Sequence, residues 1–239
     1  MSLPEISIIT PVYNMLPFLK RCIYSVRDQN VKYEHIIVDG LSTDGTKEWL
    51  KNSDKLTWLS EKDSGMYNAL NKGVNLASGE IIGHLNADEQ YLPGTLEAVV
   101  KYFKENPDVD FITGDYLVID RKGDLIAYRK SFPLMWPFFF SNYLYAFTCT
   151  LFYRQKVVSD LRYNEEFSAI SDMAFVYEMI KRGYKGAYIK RFQAAFTNTG
   201  NNLSLMPEVA NEKEKYEDKN LPFWFSYFRV FFRLFFYVV

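Results

Sequence analysis

The side chains best able to do chemistry in this 239-residue chain gather in four short polar segments and one isolated acid. The segments are Thr10 to Asn14, Asp39 to Asp44, Asp63 to Gly65 and Asn86 to Glu89; the acid is Asp172. Tyr13 supplies an aromatic face that can stack on a planar ring, and Asp39 an acceptor for an imino proton or a hydroxyl. Asp88, followed directly by Glu89, is a hard oxygen ligand of the kind that holds magnesium or manganese against phosphate. Lys72 offers a positive charge to an anion, and Asp172 a carboxylate that becomes an effective base if burial raises its pKa. Each has a plainer reading too. Tyr13 can be a turn aromatic, Asp39 the acceptor of an Asx turn, Asp88 a cap for a helix near Pro93 or Thr95, Lys72 a solvated helix lysine and Asp172 an N-cap.

Positioning these segments takes a repeated strand, loop and helix. Ile6-Ser7-Ile8-Ile9 is a β-branched run stopped by Pro11 and Asn14, and Phe18, Leu19, Cys22, Ile23 and Val26 follow at helical spacing. His35 to Val38 reads as a strand, Asp39 to Gly45 as a turn-rich loop, and Thr46 to Asn52 as a helix opened by Asp44 or Thr46. Leu56 to Leu59, a polar loop over Glu61 to Gly65 and a helix over Met66 to Leu76 form a third unit; Glu80 to Leu85 is a fourth strand. This alternation predicts an α/β fold, a Rossmann-like and mostly parallel sheet with helices on both faces. Ligands of such sheets bind beyond the carboxyl ends of the strands, where the four polar segments converge. After Pro107, Phe111 to Asp115 and Tyr116 to Ile119 read as strands, the residues around Gly123 as a hairpin turn, and Ser171 to Arg182 as a helix with Met173, Val176, Tyr177 and Ile180 on one face.

Composition excludes several classes. A formal charge of -1 without clustered basic residues leaves no case for nucleic acid. Cys22 and Cys149, the only cysteines, sit among apolar neighbours and are expected to be reduced core thiols, which makes the cytoplasm the expected location. The N-terminus shows no export signal. His35 and His84 fall within strands, with no second ligand at metal-binding spacing.

Four ordered motifs then resemble one family: Ile8 to Asn14, Ile37 to Thr46, Asp63 to Gly73 and Asn86-Ala87-Asp88. They are similar to the family 2 glycosyltransferases of bacterial polysaccharide synthesis, which have the GT-A fold. The match is close over the first half of the chain and continues more weakly to about residue 200. The resemblance implies a nucleotide-diphosphate sugar donor, usually a UDP-sugar, with Thr10, Pro11, Tyr13 and Asp39 around the nucleoside. It adds Asp63, Asn71, Lys72 and Asn86 to the nucleotide-sugar site, Asp88 as the ligand of Mn2+ or Mg2+, and Asp172 as the catalytic base of an inverting transfer. The usual first acid of the metal motif is Asn86 here, an amide that ligates or orients through its carbonyl oxygen. The implied acceptor is a hydroxyl of a glycan or a polyprenyl-linked glycan.

Residues 1–220 are thus expected to form the GT-A domain, and 221–239 a separate aromatic and basic helix. In Phe223 to Tyr237, polar residues Ser226, Arg229 and Arg233 line a narrow stripe against a wide aromatic face. That pattern suits peripheral contact with the inner face of the cell membrane, or packing of a terminal helix on the domain. Trp136 to Phe147 is a second aromatic run, fit to stack on sugar rings, meet a lipid carrier or fill a core. Two competing activities need signatures the sequence lacks. A sugar nucleotidyltransferase wants a Gly-rich basic loop after the first strand, and a dinucleotide oxidoreductase wants G-x-G-x-x-G there; Thr10 to Asn14 has neither. A non-catalytic carbohydrate-binding protein would suit the aromatics but leaves Asp39, Asp88 and Asp172 without a purpose.

Overall fold

A computed structural model describes residues 3–131, 148–200, 202 and 208–220. Its first half is the expected repeat: β1 (Ile6–Val12), α1 (Leu16–Arg27), β2 (Tyr33–Asp39), α2 (Thr46–Lys51), β3 (Thr57–Ser60), α3 (Met66–Leu76) and β4 (Ile81–His84). These four strands are parallel in the order β3-β2-β1-β4. β1 runs three residues further than the sequence suggests, through Pro11, and its ladder explains why a proline is tolerated there. Ile9 faces β4, accepting the Leu85 N–H, and β4 pairing ends at that level. Pro11, two residues on, faces the same side beyond the end of that ladder, so its missing N–H forfeits no sheet hydrogen bond.

Alternation along β1 places consecutive isoleucines in different cores. Ile9 packs with Val38, Leu70, Phe111, Tyr153 and Phe175, whereas Ile8 packs with Cys22, Val26, Val99, Phe103 and Phe152. Both faces of the sheet are therefore covered, and each of these fully buried side chains contributes about 2 kcal/mol of transfer free energy. Helix α3 lies so close to β1 that a Cβ on Gly73 would stand 2.3 Å from Ile9 Cγ2. Both cysteines are buried and free, and burial raises both thiol pKa values, as befits core thiols.

The second half departs from the repeat. It contains β5 (Glu89–Tyr91), α4 (Thr95–Glu105), β6 (Phe111–Ile119), β7 (Leu125–Arg129), β8 (Phe152–Arg154), α5 (Gln155–Asp160), α6 (Ser171–Lys181), β9 (Gly186–Thr197) and α7 (Glu208–Asn220). The sheet continues from β4 as β8-β6-β9-β5, with β7 hairpinned onto β6. β8 pairs antiparallel with both β4 and β6, and β5 antiparallel with β9. The two strands expected over Phe111 to Ile119 are one strand whose register against β9 shifts around Asp115. Strands β5, β8 and β9 are not anticipated by the sequence reading. Among the described residues no helix is long and apolar enough to cross a membrane. The two aromatic runs, Trp136 to Phe147 and Phe223 to Tyr237, lie outside the described residues.

Candidate active site

The loops after β1 and β2 are laced together by side chains. Asn14, at φ 51°, donates its N–H to Ser42 Oγ and accepts the Thr43 N–H on Oδ1. Asp44 accepts the Leu16 N–H at the start of α1 and the N–H and hydroxyl of Thr46 at the start of α2. Those bonds hold Asp44's carboxyl below the usual range against the opposing effect of burial. Asp39 is fully buried at the end of β2; its Oδ1 accepts the Ser42 N–H at 3.1 Å and its Oδ2 the Ser60 hydroxyl at 2.7 Å. It therefore makes the Asx turn, and a carboxylate has lone pairs left for one further donor. Tyr13 projects outward, 62 % exposed. Thr10 turns inward: its hydroxyl meets His35 Nε2 at 2.9 Å, so only its backbone is near the loop. Burial lowers the His35 pKa to about 3, which keeps this interior histidine neutral.

Asp63 joins the same edge. Its Oδ1 accepts the Gly65 N–H, and its Oδ2 lies so close to Gly40 that a Cβ there would sit 2.6 Å away. Gly65, at φ 138°, then starts α3 in a conformation that favours glycine. Along α3, Asn71 is an internal clasp. Its Nδ2 donates to Tyr163 O at 2.9 Å and Glu165 Oε1 at 2.8 Å, and its Oδ1 accepts the Tyr163 N–H at 3.0 Å. Asn68 holds the other oxygen of Glu165. Lys72 is partly exposed but not free; it pairs with Glu61 at 2.8 Å and donates to Lys62 O at 2.7 Å.

Carboxylates dominate the other side of the site. Asn86 and Glu89 form a reciprocal turn, in which Glu89 N–H donates to Asn86 O and Glu89 Oε2 accepts the Asn86 N–H at 2.7 Å. Asn86 Oδ1 lies 3.0 Å from His84 Nε2, and burial brings the His84 pKa down to about 4. Asp88 does not cap α4, whose N-cap is Gly94; instead its Oδ2 accepts from Asn202 Nδ2 at 3.1 Å. Burial raises the pKa of Asp88. It pushes that of Glu89 to about 8, helped by the charges of Asp88 and Asp172. Asp172 stands in the first turn of α6, after the N-cap Ile170. Its Oδ1 accepts the Met173 N–H at 2.8 Å and the Tyr67 hydroxyl at 3.2 Å. Burial raises its pKa too, in the direction a general base requires.

Three participants escape the sequence reading. Tyr67, Glu165 and Asn202 reach the site residues through partners about a hundred residues away, and the one local signal is that Tyr67 and Asn71 share a face at i, i+4 spacing. Among the described residues no group of three or more His, Cys, Asp or Glu is arranged to hold a metal unaided. A hard divalent ion that brings phosphate oxygens with it needs only one or two carboxylates, and this edge has them. Among the described residues Asp88 Oδ1 has no hydrogen bond and buried Glu89 Oε1 no partner within hydrogen-bond distance.

The sequence model of the family described as Glycosyl transferase family 2 matches residues 7–184, most of the chain and all of the elements above except β9 and α7. The chain belongs to that family. A curated relative of this glycosyltransferase, an uncharacterized glycosyltransferase of Methanocaldococcus jannaschii, is 28 % identical over 204 residues, covering 80 % of this chain and 70 % of its own. Of several other curated relatives the chain spans only 20 to 49 % of the length. Two solved structures share the GT-A fold. S. aureus TarS in complex with UDP-GlcNAc aligns with a TM-score of 0.68 at 18 % identity, over 84 % of this chain and 61 % of that one. The mannosyltransferase PcManGT of Pyrobaculum calidifontis in complex with GDP-Man and Mn2+ aligns with a TM-score of 0.62 at 18 % identity, over 83 % and 58 %.

Proposed function

We propose that this glycosyltransferase moves a sugar from a nucleotide-diphosphate donor, a UDP-sugar in the first instance, to a hydroxyl of a glycan or lipid-linked glycan in cell-surface polysaccharide synthesis. The observation that carries the reading is Asp172: a half-buried carboxylate of raised pKa, one oxygen anchored twice, within charge range of the Asp88-Glu89 edge. Tyr13 stacks on the base, and Asp39 and Asp63 at the adjoining strand ends receive the nucleoside. Pro11, Thr10, Asn71 and Lys72 serve that site from behind, by fixing the strand end and the loop into α3. Asp88, with Asn86 and Glu89 beside it, holds Mn2+ or Mg2+, which when bound offsets the negative charge of the departing diphosphate. Asp172 takes the proton of the acceptor hydroxyl as its oxygen bonds to the anomeric carbon and the bond from that carbon to the diphosphate breaks. With Asp172 as the one base opposite the leaving group, the reading is a direct displacement with inversion. Two solved structures of similar fold hold nucleotide sugars, TarS with UDP-GlcNAc and the mannosyltransferase with GDP-Man and Mn2+, and both support the donor class. Contact of Phe223 to Tyr237 with the inner membrane face is part of the same proposal, as the acceptor is carried there.

The test is a thermal-shift panel of nucleoside diphosphates and their sugars with and without Mn2+, since a ligand bound only by the folded state raises the unfolding temperature. Metal-dependent stabilisation by a uridine diphosphate is expected. No shift with any nucleotide would remove the donor-site assignment.

A further inference from the structure

We infer that Tyr67 is the positioning residue of the base: its hydroxyl anchors Asp172 Oδ1 so that Oδ2 is the atom presented to the acceptor hydroxyl. This rests on the reading of Asp172 as the base. Tyr67 sits in the first turn of α3, directly after the Asp63 to Gly65 loop that abuts Gly40. Its ring is almost entirely buried and stacks on Tyr163 at 5.8 Å between centroids, and Tyr163 stacks in turn on Phe175 at 4.6 Å. Phe175 belongs to the same helix as Asp172, one turn on. The column thus ties the start of α3 to the start of α6, and the Asn71 clasp on Tyr163 keeps its middle member in place.

The chemistry follows from which oxygen is occupied. Oδ1 receives two donors, Tyr67 O–H and Met173 N–H, whereas Oδ2 has no hydrogen bond among the described residues. Donors to a carboxylate favour its charged form, so Tyr67 works against the burial that raises the Asp172 pKa. Tyr67's own pKa is driven far up, chiefly by burial and then by the Asp172 charge, so it remains a donor at any working pH. The other titratable groups around the pair are Tyr163 and Glu89, both of which feel the Asp172 charge, and Glu212 of α7, which acts on Tyr67.

The test is Tyr67→Phe, which keeps the stacked ring and removes only the hydroxyl. In the free protein, the carboxyl resonance of Asp172 is followed by carbon NMR with pH and assigned by its loss in Asp172→Asn. The titration is expected to move to higher pH in Tyr67→Phe; an unmoved titration overturns the inference. With UDP-GlcNAc and Mn2+ as the probe, kcat for UDP release is expected to fall about tenfold on the acidic limb, in proportion to one charge-assisted hydrogen bond, with KM little changed. Equal kcat and an unshifted pH profile would also overturn it. If the titration moves but Asp172→Asn keeps its turnover, the base reading itself fails and the positioning role falls with it. If Asp172→Asn is inactive while Tyr67→Phe behaves as the parent, only the positioning role falls.

Discussion

Asn71→Ala separates a residue that touches the donor from one that holds the walls of its site. The amide makes two hydrogen bonds to the backbone N–H and C=O of Tyr163, in a half-buried setting, and one to the exposed side of Glu165. The two neutral bonds to Tyr163 are worth about 1 kcal/mol each net, and the Tyr163 groups left without partners add about 1 kcal/mol together, while the exposed bond to Glu165 contributes little. The expected loss is therefore about 3 kcal/mol. For a chain of this length about 1 kcal/mol corresponds to about 3 °C, so the unfolding midpoint should drop by about 9 °C. Urea denaturation gives the free energy and a thermal scan the midpoint. The increment in midpoint produced by UDP with Mn2+ should persist, because the amide is spent on Tyr163 and Glu165. A variant with parental stability whose nucleotide increment vanished would refute this reasoning and make Asn71 a direct donor ligand.

Three other perturbations follow from the same geometry. Gly73→Ala places a Cβ 2.3 Å from Ile9 Cγ2, a contact that forces α3 off the sheet; a loss of about 1–3 kcal/mol in urea is expected, and parental stability would show that the helix yields freely. Glu89→Gln tests linkage without added metal. The folded carboxyl titrates at about 8 against an ordinary 4.5, so between those values the folded state keeps a proton that the unfolded chain has released, and stability falls as pH rises through that window. The variant's melting temperature relative to the parent should climb from about pH 5 to about pH 9, the range that spans both titrations; a pH-independent difference would count against the buried charge. Asp88→Asn should abolish the manganese-dependent part of the nucleotide shift while leaving the metal-independent part, and an intact manganese increment would place the metal elsewhere.

How much was legible depended on whether the signal was local. The first four strands announce themselves because each is a run of apolar residues followed by a polar loop and a helical period, and each pairs in parallel with a neighbour of the same kind. β5 and β8 are three residues long and amount to no pattern; they are strands only because β9 and β4 supply edges. β9 carries Lys190, Arg191 and Gln193 through its middle, so its exposure alternates poorly and propensity alone cannot find it. The site divides the same way. Tyr13, Asp39, Asp63, Asp88 and Asp172 stand at element ends that the pattern fixes. The commitments of Thr10 to His35 and of Lys72 to Glu61 depend on which way a side chain turns, and the parts played by Tyr67 and Asn202 depend on pairings across about a hundred residues.

The charge balance of the site bears on how the proposed reaction is ordered. Asp88, Glu89 and Asp172 all have raised pKa values, and no lysine or arginine among the described residues pairs with any of them. Lys72, the cation that the family resemblance would bring to the nucleotide-sugar site, already pairs with Glu61 and donates to the Lys62 carbonyl. A diphosphate arriving alone would add negative charge to an edge already short of compensation. A divalent ion arriving with it offsets both the diphosphate and the Asp88-Glu89 pair, and so makes donor and metal binding mutually favourable. Asp172 lies in charge range of that edge, its charge adding to what raises Glu89. It hangs from α6 and Tyr67, and burial raises its affinity for a proton. On the proposed reading the metal ligands and the base are separate residues on different elements, and Asp172, although in charge range of Glu89, keeps the raised proton affinity that burial gives it and that a base needs.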